Sequence, residues 1–221
     1  SQRDPQADVY ASQVRKENGQ TVFHVRTPQY EREFRLTMPG LFNVENALGV
    51  IAVCHALHVP PSAVYDGLVR ARVPGRMETY ANADGSLHAI VDYAHNRLSF
   101  ETLFRSVRAE YPGREMAIVF GCPGKKAYDR RRDLGEAAGR WCDRVYLTEE
   151  DSGEEDTLDI CREIAPNVEK EGCPVRIIPN RGEAIRQAVL DCAGPTVLLL
   201  TGKGRETRQK RCLLYTSDAA D

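Results

Sequence analysis

Two rhythms of apolar and polar positions divide this chain. Residues 9 to 37 read as strands. Val9-Tyr10-Ala11-Ser12-Gln13-Val14 leads to Asn18-Gly19, a pair that tolerates positive φ and signals a tight hairpin, and then to Thr21-Val22-Phe23-His24-Val25. Glu31 to Thr37 alternates apolar and polar residues, as a half-buried strand does. After Pro39-Gly40, apolar residues recur at helical spacing from Asn43 to Leu57 (Val44, Ala47, Leu48, Ile51, Ala52, Leu57). Pro60-Pro61-Ser62 then caps a short helix through Val69, and Pro74-Gly75 ends the unit.

From Met77 the rhythm changes to strand, helix, strand, helix. Strands are predicted over Leu87–Asp92, Met116–Phe120, Arg144–Leu147, Val175–Ile178 and Thr196–Thr201. Helices are predicted over Ser99–Glu110, Arg130–Trp141, Thr157–Ile164 and Arg181–Cys192. Short apolar strands alternating with helices imply an α/β unit, a Rossmann-like and mostly parallel sheet with helices on both faces. No G-x-G-x-x-G follows its first strand, so a dinucleotide role is not expected.

Bulk properties narrow the classes. A chain of 221 residues with 42% hydrophobic residues suits one large domain or two small ones. Thirty basic against 32 acidic residues give a formal charge of -2, which argues against a general nucleic-acid or membrane-surface binder. No apolar run approaches a membrane span, and Ser1 to Asp8 is polar, so a cytoplasmic protein is expected. The seven cysteines are scattered without CxxC or Cys/His metal spacing, which favours buried free thiols. The last ten residues, Cys212 to Asp221, can be written as TGT CTC TTA TAC ACA TCT GAC GCT GCC GAC. That matches a transposon-end sequencing adapter read in frame. The segment is therefore expected to be adapter read-through closing a truncated reading frame, and it is set apart from the fold.

The candidate chemistry collects at turns. The apolar run Leu87 to Val91 ends in Asp92-Tyr93-Ala94-His95, where α/β proteins place ligands, outside the carboxyl ends of strands. Other phrases surround it in order: Gly40-Leu41-Phe42-Asn43-Val44-Glu45-Asn46-Ala47-Leu48, Val73-Pro74-Gly75-Arg76-Met77-Glu78, Phe120-Gly121-Cys122-Pro123-Gly124, Thr148 to Asp156, and Gly202-Lys203-Gly204-Arg205-Glu206. This ordered set resembles the Mur ligase family, in the branch that adds the third residue to the UDP-MurNAc peptide of peptidoglycan. The resemblance runs from about residue 5 to Gln209.

The resemblance implies a domain map and a reaction. Residues 1–73 would be the C-terminal part of the central ATP-binding domain, and residues 74–211 the Mur ligase C-terminal domain. The reaction would use ATP and Mg²⁺ to phosphorylate a carboxylate of UDP-MurNAc-dipeptide, and an amino acid would then attack the acyl phosphate. Positioning and electrostatics would dominate that chemistry. The phosphate-cradling G-x-x-x-x-G-K-[ST] loop is absent from the chain, so the chain alone is expected to be inactive. A monomer is expected, with no nucleic-acid or membrane partner.

Residue by residue, the resemblance gives Asn46 to the adenine, with Asn43 supporting it. It gives Arg76 and Asp92 to the nucleotide across the domain junction, with His95 beside them; Arg76, Asp92 and His95 form the expected catalytic set. A carboxylate can hold both ribose hydroxyls, and an arginine can reach ribose or phosphate. Glu150, Asp151, Gly202, Lys203 and Glu206 fall on the substrate side, and no residue is assigned as a metal ligand. On residue type alone, Asn43 reads equally as a helix cap, Arg130-Arg131-Arg132 as groups that meet substrate phosphates or carboxylates or as a solvated helix start, and the other charged groups as surface residues.

The chain also departs from the family. Asn96-Arg97-Leu98-Ser99 stands where Thr-Pro-Asp is usual, and Lys125-Lys126-Ala127 replaces Asp-Arg-Asp, leaving the roles of Lys125 and Lys126 open. Gly153 stands where the diaminopimelate-adding enzymes carry a carboxylate-clamping arginine, which disfavours diaminopimelate and leaves lysine or another amine open. Two alternatives remain: a folylpolyglutamate- or cyanophycin-synthetase type of ligase, and a non-catalytic nucleotide- or peptide-binding Rossmann module.

Overall fold

The computed structural model describes residues 1–204, 206, 208–211 and 214–216, and they fall into two units, Ser1–Val73 and Pro74–Asp221. In the first unit, β1 (Tyr10–Glu17), β2 (Gln20–Arg26) and β3 (Glu31–Leu36) form an antiparallel sheet in sequence order. Asn18 and Gly19 take φ of 49° and 75°, the primed turn their types favour, and Glu17 pairs with Gln20 across it. Phe23 and Phe34 pair across β2 and β3 with ring centroids 6.1 Å apart. They pack with Val44, Leu48 and Ile51 of α1 (Asn43–Ala56) and with Val64 and Leu68 of α2 (Pro61–Arg70).

The second unit is a six-stranded sheet in the order β4-β5-β9-β6-β7-β8. The strands are β4 (Glu78–Ala81), β5 (Leu87–Asp92), β6 (Glu115–Phe120), β7 (Arg144–Leu147), β8 (Val175–Ile177) and β9 (Thr196–Thr201). All neighbours are parallel except the edge pair β4–β5. The period of two along each strand sorts side chains between the faces. Ala117, Val119 and Tyr146 pack with Ala184 and Ala188 of α6 (Arg181–Leu190), while Phe120 meets Phe100 of α3 (Arg97–Glu110) at 5.3 Å. Helices therefore cover both faces of this mostly parallel α/β sheet.

The structure differs from the sequence expectations in four places. The helix predicted to stop at Ile164 continues as α5 (Thr157–Glu169) through Pro166, because its buried stripe of Ile160, Cys161, Ile164, Ala165 and Val168 runs past the proline and packing outweighs one lost hydrogen bond. Asn43 does not cap α1: the capping position is Phe42, and the Asn43 amide donates instead to Pro39 O at 2.6 Å. The edge strand β4 was not expected, because its residues are mostly exposed and carry no apolar run. Finally, part of the tail has structure: β11 (Leu214–Thr216) pairs antiparallel with β10 (Gln209–Arg211). Cys212, Leu213 and 217–221 lie outside the described residues.

Between α4 (Asp129–Trp141) and α5 the backbones meet directly. A Cβ on Gly135 would lie 2.9 Å from Ile164 O, and one on Gly139 would lie 2.7 Å from Val168 O. Among the described residues, Cys122, Cys142, Cys161 and Cys173 are buried free thiols, and burial raises each above the ordinary thiol value, which keeps them from acting as nucleophiles at neutral pH.

Candidate functional site

The carboxyl ends of β5, β6, β7 and β9 converge on a cavity of about 260 Å³. The turn after β5 contributes Tyr93 and His95; the turn after β6 contributes Pro123 and Lys126, with Arg130 from α4. The turn after β7 contributes Glu150 and Asp151, and the turn after β9 contributes Gly202, Lys203 and Glu206. Glycines allow these turns to approach so closely. A Cβ on Gly121 would sit 2.3 Å from Thr148 O, and one on Gly124 would sit 1.8 Å from Ser152 O. Gly202 has φ of 84°, and its Cβ would lie 2.1 Å from Glu150 Oε2.

The charges of the cavity are arranged in pairs. Lys203 is buried and donates to Asp151 Oδ1 at 2.7 Å, and the Lys210 backbone N–H donates to the same oxygen at 2.8 Å. Burial would raise the Asp151 carboxyl, but these two donors outweigh it and hold the group below its ordinary value. Asp151 sits at φ of 46°, an uncommon backbone conformation for this residue type. Glu150 is 8% exposed, and burial pushes its carboxyl up to about 7 against the opposing charges of Arg181, Lys203 and Arg130. The His95 ring Nδ1 lies 2.8 Å from Tyr93 O; a carbonyl only accepts, so Nδ1 carries a proton and Nε2 is the ring nitrogen left for a ligand.

The loop between β6 and α4 is anchored from below. Arg131 is buried, not solvated as a basic helix start would be. Its guanidinium bonds Glu155 twice, at 2.7 and 2.8 Å, and reaches Glu163 at 2.7 Å. Glu155 also accepts the Lys125 backbone N–H at 2.7 Å, so this carboxylate joins the turns after β6 and β7. Lys125 pairs with Glu154 outside the cavity, whereas Lys126 lines it.

Asp92 and Arg76 stand beside the cavity and do not line it. The Asp92 carboxylate accepts Met77 N on Oδ2 and Ala94 N on Oδ1, both at 2.9 Å. Burial nevertheless raises its carboxyl above the ordinary value. It does not cap α3, which is closed by a reciprocal Asn96–Ser99 capping box. Arg76 lies over the Tyr93 ring at 4.9 Å, a cation–π contact that presents the guanidinium at the surface. In the first unit, Asn46 Nδ2 donates to Asn43 Oδ1 at 2.9 Å, leaving Asn46 Oδ1 and one N–H for a ligand edge. Among the described residues, no group of three or more His, Cys, Asp or Glu side chains is placed to hold a metal ion.

Of the residues singled out from sequence, the structure gathers His95, Glu150, Asp151, Gly202, Lys203 and Glu206 around one cavity, while Asn43 and Asn46 belong to the other unit. Arg205 lies outside the described residues. Sequence reasoning missed Tyr93 as a wall of the cavity and did not separate Arg130 from its neighbours. Helical spacing held the signal, since Arg131 shares the inward stripe of Leu134, Gly135 and Ala138 and Arg130 does not.

A parallel α/β domain with a charged cavity at the carboxyl ends of its strands defines a ligand-binding domain of the Rossmann-like type. Residues 75–204 match the family described as Mur ligase, glutamate ligase domain, and the chain belongs to the Mur ligase family. It is 40% identical over 205 residues to the UDP-N-acetylmuramyl-tripeptide synthetase of Roseiflexus sp. (strain RS-1), covering 90% of this chain and 40% of that protein. It is 32% identical over 203 residues to the UDP-N-acetylmuramoyl-L-alanyl-D-glutamate--2,6-diaminopimelate ligase of Caldanaerobacter subterraneus subsp. tengcongensis, covering 92% of this chain and 42% of that protein. The structure of Mycobacterium tuberculosis folylpolyglutamate synthase complexed with ADP shares the fold, with a TM-score of 0.74 at 21% identity over 90% of this chain and 46% of that one. The chain thus spans less than half the length of the relatives it matches.

Proposed function

We propose that this chain is the part of an ATP-dependent amide ligase that receives the incoming amino acid and closes on the nucleotide, and that the whole enzyme extends UDP-MurNAc-L-Ala-D-Glu in peptidoglycan synthesis. The observation that carries this reading is the cavity itself. Glu150 and Glu206 offer anionic oxygen to an ammonium group, and Lys126 and Arg130 offer cations to a carboxylate, so one cavity matches both ends of an amino acid. The names of the two relatives support the substrate class.

Within this reading, Asn46 meets the adenine, Asp92 meets the ribose hydroxyls, and Arg76 meets ribose or phosphate. ATP supplies the phosphoryl group that activates the acceptor carboxylate, with Mg²⁺ as its counter-ion. His95 Nε2, at the cavity wall, is the ring nitrogen placed to meet the incoming amine. Gly153 leaves no side chain to clamp a distal carboxylate, which favours lysine or another amino acid with an uncharged or cationic end over diaminopimelate. On this reading, residues 1–73 belong to a central ATP-binding domain and residues 74–211 to the C-terminal domain. A monomer acting in the cytoplasm is the expected form.

The test is a chimera in which residues 1–211 replace the matching segment of the Roseiflexus relative. With UDP-MurNAc-L-Ala-D-Glu, Mg-ATP and a panel of amino acids, the expected result is ADP release that depends on the amino acid added. A folded chimera that releases no ADP with any member of the panel overturns the proposal.

A further inference from the structure

Arg181 opens α6 directly after its Asn180 cap and is only 6% exposed. Its Nη2 donates to Thr201 O at 2.9 Å, on the last residue of β9, while Nη1 is buried and makes no hydrogen bond among the described residues. A guanidinium buried with one neutral acceptor is unfavourable unless an anion lies close by. The residue after Thr201 is Gly202, whose Cα faces the Glu150 carboxylate so closely that a methyl group would overlap it. The buried cation and the buried carboxylate therefore meet the same stretch of chain.

We propose that Arg181 is a positioning residue for Glu150: held on the end of β9, its guanidinium supplies the positive charge that keeps the Glu150 carboxylate seated under the Gly202 turn. The dependence is mutual. Burial lowers Arg181 from its ordinary value, and Glu150 opposes this more strongly than Glu149 or Glu206 does. Burial raises Glu150, and Arg181 opposes this more strongly than Lys203 or Arg130 does. The ionisable groups facing Glu150 are Cys122 after β6, Arg130 on α4, its neighbour Asp151, Lys203 after β9, and Arg181. Lys203 is already bonded to Asp151, and Arg130 is half-buried at the cavity wall. Glu149 is buried too, and its Oε1 accepts the Arg181 backbone N–H at 3.4 Å, so Arg181 is the deeply buried cation that Glu150 shares with Glu149. Resting on the amino-acid reading of the cavity, the consequence is that a charged Glu150 draws an ammonium group and a protonated one does not.

The test uses the full chain and reads the carbon-13 shift of the Glu150 carboxyl against pH. Arg181→Gln is expected to move the Glu150 midpoint up by about one pH unit or more, and Arg181→Lys to restore most of that shift. A folded Arg181→Gln protein whose midpoint stays within about 0.2 pH units of the original overturns the inference. Should Arg181→Gln not fold, the double variant with Glu150→Gln is expected to recover the fold, because it removes both charges; failure to recover it also overturns the inference. Adding L-lysine to the same samples separates the two readings. A moved midpoint without any response to L-lysine supports the role of Arg181 and counts against the amino-acid cavity.

Discussion

The Asp92 carboxylate accepts the Met77 backbone N–H at 2.9 Å and so ties the end of β5 to the turn that carries Arg76. The same carboxylate holds Ala94 N, so the turn leading to His95 depends on it as well. Replacing Asp92 by Ala strands two buried N–H groups and is expected to cost about 2–3 kcal/mol of stability. Asp92→Asn should cost less, since its amide oxygen still serves one donor. Urea unfolding of the two variants checks this, and an alanine variant as stable as the parent would sink it.

Gly202 and Gly194 make a matched pair for substitution. Gly202 combines φ of 84° with contact against Glu150 Oε2, whereas Gly194 has nothing within 4 Å of a new Cβ. Gly202→Ala is expected to lower stability by about 3 kcal/mol or more, through strain and overpacking together. Gly194→Ala should stay within about 0.5 kcal/mol of the parent. Thermal melts of both proteins decide the matter.

Arg131 bridges Glu155, whose side chain is 20% exposed, and Glu163, which is 57% exposed. Arg131→Met should therefore cost about 3 kcal/mol, nearly all of it through Glu155 and the turn that carboxylate holds. Glu163→Gln should cost less than about 1 kcal/mol, as an exposed partner does. Equal losses from the two substitutions would show that the bridge is not weighted toward the buried side.

Glu150 titrates near 7 in the folded protein and near its ordinary value of 4.5 when unfolded. A carboxyl raised by folding contributes stability that is complete below the unfolded value and is lost as pH rises through the folded one. The difference of about 2.5 units corresponds to roughly 3 kcal/mol, lost between about pH 4.5 and 7. Glu150→Gln lacks this titration. Relative to the parent, it is expected to gain stability between pH 5 and pH 8, measured by urea unfolding at both values. A parent-to-variant difference that stays constant with pH would refute the assignment.

Much of this was legible in the sequence because β5, β7 and β9 are short apolar runs with sharp ends, and their bounds were read to the residue. The clustering of His95, Glu150, Asp151, Gly202, Lys203 and Glu206 followed from their positions just past those ends. What the sequence did not disclose were relations between distant backbones. The helical spacing of α4 separates Arg131 from the identical Arg130, but nothing in it marks Glu155 as the carboxylate that receives Arg131. Arg181 gave no signal because a single arginine opening a helix looks like a solvated one until Thr201 O and Glu150 are brought beneath it. Asp92 looked like a free ligand because the donors that occupy it are backbone amides, which carry no residue-specific mark.

The direct backbone contact of Gly135 and Gly139 with α5 acts as a gauge for the cavity. At these two positions α4 has no side chain to yield, and the helix spacing is set by Ile164 O, Val168 O and the Cβ atoms of Asn167 and Glu171. Arg130 sits nine residues before Gly139, about 13 Å along the helix axis, so a small tilt at the contact is magnified at the guanidinium. Drift in the surface residues of α4 would leave the aim of Arg130 unchanged, whereas one added methyl group at either glycine would swing it off target without touching the cavity.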